Sequence, residues 1–131
     1  MTDAQLLKLA KEAMKNAYAP YSGYKVGAAL LCADGSVYTG CNVENASFGV
    51  TNCAERTALF KAVSEGCRKF QAIAVTGGKN GLCTDYTMPC GVCRQALSEF
   101  CNPDFRIILG TDDGRIRTTT LQDLMPGAFH F

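Results

Sequence analysis

The sequence predicts a layered α/β domain built on a mixed sheet, and three observations carry that expectation. Helical and strand-like stretches alternate along the chain, a hairpin signal stands near its start, and two cysteine clusters each open a helical stretch. A length of 131 residues with 47% hydrophobic content suits one domain over residues 1–131, burying roughly two thirds of its unfolded surface. No linker, internal repeat or low-complexity segment interrupts it.

In chain order, residues 3–17 carry Leu6, Ala10, Ala13, Met14 and Ala17 on one helical face, with Thr2 and Gln5 spaced as a capping box and Pro20 as a stop. The stretch "VGAALLCADGSVYTGCNV" holds two apolar segments joined by Asp34-Gly35, a dipeptide suited to tight turns. It predicts a β-hairpin from about Val26 to Val43. From Cys53 to Glu65, helix formers around Ala54, Ala58, Phe60, Ala62 and Val63 run to Gly66, a favourable left-handed cap. "FQAIAVTGG" is continuously apolar and suits a buried strand; "CRQALSEF" reads as a helix and "FRIILGT" as a second buried strand. A turn is expected at Asp112 to Gly114, then a brief helix in "LQDLMP".

Charge and cysteine usage narrow the functional classes. Lys plus Arg total 13 against 12 for Asp plus Glu, so the chain lacks the positive excess that a phosphate backbone demands, and no nucleic-acid partner is expected. The longest apolar run, "VGAALLCA", is too short to span a bilayer, and "MTDAQLLKLAKEAMK" intersperses charges where a signal peptide is continuously apolar. A cytoplasmic protein without membrane attachment is expected. Eight cysteines in a reducing compartment point to metal binding or thiol chemistry, because disulfides seldom persist there.

Zinc in a catalytic site takes three protein ligands and keeps a fourth position for water. Cys53, Cys90 and Cys93 make such a set: the spacing of Cys90 and Cys93 lets one turn present two sulfurs, and helix N-termini favour thiolates. Cys53 in the first turn and Glu55 two residues later would converge just beyond that helix end. Three thiolates leave a net negative charge on the centre, and the Arg56 guanidinium would offset it by donating to sulfur. A lone Cys-x-x-Cys also serves redox sites and structural zinc modules. Cys32, Cys41, Cys67, Cys83 and Cys101 read as small apolar side chains, although one of them supplying a fourth thiolate would close the site. Glu55 next to an open site instead reads as a general base.

With "CAER" at 53–56 and "PCGVC" at 89–93, the chain resembles the zinc-dependent cytidine deaminases of the small, homotetrameric class. The resemblance extends over "AYAPYSGYKVGAAL" at 17–30, "GCNVENASFG" at 40–49, "CAERTALFKAVSEG" at 53–66, "PCGVCRQ" at 89–95 and "LMPGAF" at 124–129. It implies a three-layer α/β/α sandwich with a mixed five-stranded sheet, and one Zn2+ per subunit held by Cys53, Cys90 and Cys93. Glu55 would be the proton shuttle, Asn42 and Glu44 would bind the ribose hydroxyls, and the Ala54 backbone would meet the pyrimidine. Tyr24 stands where the family commonly has phenylalanine near the ring, and Phe48 where tyrosine is frequent. Phe129 matches an aromatic that closes a neighbouring subunit's site, and Met88 replaces a frequent serine. An alanine-rich helix after Cys53 would pack on copies of itself or within its own chain.

The activity implied is hydrolytic deamination of cytidine and deoxycytidine to uridine and deoxyuridine plus ammonia, in pyrimidine salvage. Rival readings are an aminonucleoside-antibiotic deaminase with the same metal shell, a polynucleotide-editing deaminase, and a non-enzymatic zinc-stabilised binding module. "NVEN" speaks against the first, the balanced charge against the second and Glu55 against the third.

Overall fold

A computed structural model describes residues 1–131. Helix α1 spans Asp3–Met14, strand β1 Tyr24–Cys32, β2 Val37–Cys41, α2 Ala54–Ser64, β3 Phe70–Lys79, α3 Gly91–Phe100, β4 Arg106–Gly110, β5 Ile116–Thr120 and α4 Leu121–Leu124. The five strands form one sheet in the order β2-β1-β3-β4-β5. It is mixed: β3 and β4 pair in parallel, whereas β1–β2, β1–β3 and β4–β5 are antiparallel.

Side-chain alternation along the strands assigns the two layers of helices. Ala28 and Leu30 of β1, Ile73 and Val75 of β3, and Ile107 and Leu109 of β4 join Ala54, Ala58, Leu59 and Ala62 of α2 and Leu97 of α3 in one core cluster. Their neighbours Ala29, Ala72, Ala74 and Ile108 point the other way, onto Leu6 and Ala10 of α1. The central strands are therefore apolar on both faces, which is why β1, β3 and β4 read as continuous apolar runs. Small residues set the spacing. A Cβ added at Gly40 of β2 would stand 2.5 Å from the Ala58 amide nitrogen and 2.7 Å from the Ala54 carbonyl oxygen. The alanine face of α2 is thus consumed within the chain, by β2 and the core cluster.

The expected elements are present with shifted ends. The Thr2–Gln5 capping box opens α1, but the helix stops at Met14, short of residue 17. The hairpin turns at Gly35, with φ +91°, while Asp34 supplies side-chain hydrogen bonds to Ser36. Its paired strands begin at Tyr24 and end at Cys41; Val43 forms only isolated bridges, to Tyr18 and Asn52. Gly66, with φ +97°, lies just past α2. Reading element by element missed β5, whose sequence "IRTTT" leaves Ile116, Arg117 and Thr118 exposed at a sheet edge and carries little apolar pattern. No helix is long and apolar enough to cross a membrane.

The parallel β3–α3–β4 unit sets the site. Ligands of open α/β sheets bind outside the carboxyl ends of parallel strands, and here the chain leaving β3 leads to the start of α3. The hairpin and α2 deliver a second helix start to the same place.

Candidate active site

Both cysteine clusters mark helix starts. Cys53 is the N-cap of α2 with an extended backbone, φ −78° and ψ 157°, one residue before the first turn in which it was expected. Cys90 is the N-cap of α3, its sulfur accepting from the Cys93 amide at 3.4 Å. The three sulfurs lie within 4.8 Å of one another, and no fourth Cys, His, Asp or Glu joins them. Cys53 and Cys90 sulfurs are 3.6 Å apart, Cys90 and Cys93 sulfurs 3.4 Å. Sulfurs bound at about 2.3 Å to one tetrahedral ion would stand roughly 3.8 Å apart, so number, chemistry and spacing of the donors fit zinc.

Arg56 lies against this sulfur set: Nη2 donates to Cys53 Sγ at 3.3 Å. Cys53 is the more acidic member of its pair with Cys93. Its thiol is pulled down to about 5, chiefly by a hydrogen bond from Cys93, against the cost of burial, with Arg56 and Cys90 adding. Cys93, as donor and as a buried group, is pushed up. Elsewhere burial raises Cys32 to about 11 and Cys101 to about 12, so these thiols stay protonated, as small apolar side chains do.

Glu55, in the first turn of α2, is 3% exposed. Burial pushes its carboxyl up to about 7, and the adjacent Cys53 charge adds to the rise. A proton carrier works best in that range. Its carboxyl shares a cavity of about 240 Å³ with Cys53, Ala54, Cys90, Tyr24, Asn42 and Glu44, so seven of the expected residues open on one space.

Asn42 and Glu44 are not free polar groups waiting for a ligand. Asn42, 8% exposed, accepts from the Val26 amide and donates to the Tyr24 carbonyl, both at 2.8 Å. One amide proton and one lone pair remain for a ligand. Glu44 accepts from the Tyr21 amide at 2.9 Å, the Ser22 amide at 3.1 Å and the Ser22 hydroxyl. The Ser22 bonds, first the hydroxyl and then the amide, hold its carboxyl below the ordinary range.

Two expected residues lie elsewhere. Phe48 is 75% exposed and packs edge-on against Tyr21, with ring centroids 6.0 Å apart, beside an adjoining cavity that shares Ser22, Glu44 and Thr51. Phe129 is 64% exposed and meets Phe131 and the Gln95 side chain, outside the lining of the Glu55 cavity. Residue-by-residue reading also passed over Ser22, Thr51, Asn52 and Thr87, which line the cavity. Ser22 lay inside a quoted motif and Thr87 at the end of the divergent segment "GGKNGLCTDYT", but neither hydroxyl was singled out.

A three-thiolate metal group beside a buried glutamate, carried at two helix starts on a mixed five-stranded sheet, defines the class of zinc-dependent deaminases. The family described as the cytidine and deoxycytidylate deaminase zinc-binding region matches residues 1–109, and the chain belongs to that family. A cytidine deaminase of Halalkalibacterium halodurans is 51% identical over 129 residues, covering 98% of this chain and 95% of the relative. One of Sporosarcina psychrophila is 50% identical over 125 residues, covering 95% and 89%. The crystal structure of the Burkholderia pseudomallei cytidine deaminase superposes with TM-score 0.91 at 50% identity, covering 98% of this chain and all of that one.

Proposed function

We propose that this chain, folding as a single domain over residues 1–131, is a cytidine deaminase that converts cytidine and deoxycytidine with water to uridine and deoxyuridine plus ammonia. The observation that carries the reading is the juxtaposition of three sulfurs, mutually within 4.8 Å, with the buried Glu55 at one cavity. Relatives that share half the sequence over almost the whole chain carry that activity in their names.

Cys53, Cys90 and Cys93 would hold the ion. Bound zinc supplies a Lewis acid that brings the ionisation of water down toward roughly pH 7. Glu55 takes the proton released as water adds to C4 of the cytosine ring and delivers it to N3. A second proton passes through Glu55 to the exocyclic amine, which leaves as ammonia as the C4 carbonyl forms, so one water is consumed for each ammonia released. Asn42 and Glu44 offer their remaining hydrogen-bonding capacity to the sugar, the Ala54 backbone meets the base, and Tyr24 walls the cavity. Arg56 holds charge against Cys53. Phe48 borders the sugar end of the site beside Ser22 and Glu44, and Phe129, exposed in one chain, closes a neighbour's site in an assembly. We take that assembly to be a homotetramer: exposed Phe60 and Val92 line a groove between α2 and α3 and give it an apolar seam. The setting is pyrimidine salvage in the cytoplasm.

The test is ammonia release from cytidine, deoxycytidine, an aminonucleoside antibiotic and a cytosine-containing oligonucleotide. Turnover of the two free nucleosides above the others is expected. Preference for the antibiotic or the oligonucleotide would overturn the assignment.

A further inference from the structure

A hydrogen-bond chain crosses the rim of the cavity, and elementary chemistry fixes its direction. Thr87 Oγ1 lies 3.0 Å from the Gly77 carbonyl oxygen in β3 and 2.7 Å from the Tyr24 phenolic oxygen at the start of β1. A carbonyl oxygen only accepts, and a threonine hydroxyl has one proton. Thr87 therefore donates to Gly77 and accepts from Tyr24, and the phenol is the donor of the pair.

The backbone of Tyr24 is held as firmly as its ring tip. Its N–H donates to Ser22 Oγ at 2.9 Å, Ser22 donates onward to Glu44, and its carbonyl accepts from Asn42 at 2.8 Å. Residue 24 thus links both members of the proposed sugar-binding pair to one aromatic ring. Tyr24 as a whole is 39% exposed, so packing alone leaves its side chain rotational freedom. A tether that fixes the rotamer in advance removes this ordering cost from ligand binding. Phenylalanine, which the family resemblance commonly places at position 24, cannot make the bond, so the tether depends on the tyrosine of this chain.

We propose that Thr87 is a positioning residue: it accepts the Tyr24 phenolic hydrogen bond, anchors the ring to the end of β3, and presents it ready-oriented to the nucleoside. The inference rests on the reading of Tyr24 as a wall of the nucleoside site.

The experiment is a double-mutant cycle of Thr87→Val and Tyr24→Phe, with Thr87→Ser as the conservative rescue, read as KM and kcat for cytidine on the zinc-loaded enzyme. Thr87→Val should raise KM roughly two- to tenfold, the range one neutral hydrogen bond supports, and lower kcat by a smaller factor. Thr87→Ser should restore KM, and on the Tyr24→Phe background Thr87→Val should add nothing. An equal cost on both backgrounds would assign the effect to Gly77 and β3 and overturn the proposal, as would an unchanged KM. Should the wild-type chain fail to deaminate cytidine, the functional reading fails separately. Ultraviolet resonance Raman then reads the tether: the Tyr24 signature, isolated by difference with Tyr24→Phe, must lose its donor character in Thr87→Val, and an unchanged signature overturns the proposal.

Discussion

Replacing Glu55 by glutamine exchanges one carboxylate oxygen for an amide group in a side chain that is 3% exposed and opens on the sulfur-lined cavity. Shape and volume are nearly conserved, so the core beneath α2 keeps its packing, while the capacity to carry a proton is lost. A positioned acid–base group commonly contributes on the order of 100- to 10,000-fold in rate. At about 1.36 kcal/mol per factor of ten, the variant's barrier should rise by about 2.7 to 5.4 kcal/mol. The sulfur set is untouched, so zinc content should equal that of the wild type, and the thermal midpoint should hold within about 4 °C. Three measurements on one preparation decide the matter: ammonia release, metal stoichiometry and thermal unfolding. A folded, zinc-loaded Glu55→Gln enzyme with turnover within about tenfold of wild type would refute the reasoning, because a group so easily replaced is not the proton carrier.

Gly40→Ala should cost about 1–3 kcal/mol in denaturant unfolding, since the new methyl group meets α2 backbone at Ala58 and Ala54; an unchanged midpoint would mean β2 and α2 are not in such close approach. Asn42→Ala should destabilise the fold by about 1–3 kcal/mol and also raise KM, because the Val26 amide and Tyr24 carbonyl lose their partner together with the proposed sugar contact; a change in KM alone would contradict the strand-bridging role. Asp112 is held below the ordinary carboxyl range first by Lys11 and then by the Cys83 amide. A depressed folded value means that its stabilisation is present above the unfolded pKa of about 3.9 and is lost as pH falls through the folded value. The thermal gap between wild type and Asp112→Asn should therefore be widest near neutrality and close in acid; a gap independent of pH would remove the charge from the account.

The parts of the fold legible in the sequence were those written in local chemistry or repeated apolar pattern. Thr2 and Gln5 announced the start of α1, Asp34-Gly35 the hairpin turn, and the runs around Ile73 and Ile108 the central strands. Strand β5 had no such signal, because an edge strand of threonines with an exposed Ile116 buries too little to impose a period. The sulfur set was legible because Cys90 and Cys93 are fixed by one turn and Cys53 by an equivalent helix start. Ser22 and Thr87 were not: each acts through a partner distant in sequence, Glu44 at 22 residues and Tyr24 at 63, and single hydroxyls in loops leave no pattern. Nor does sequence reveal that Asn42 and Glu44 spend much of their hydrogen-bonding capacity on the β1 segment and the turn before it.

The central claim is that three sulfurs hold an ion whose open face adjoins Glu55, and ammonia release from cytidine measured alongside zinc content tests it most directly. The account predicts about one zinc per chain, turnover that vanishes when a chelator strips the metal, and recovery on adding zinc back. Undiminished turnover in the stripped protein, or a fourth protein sulfur on the ion in X-ray absorption, would contradict it.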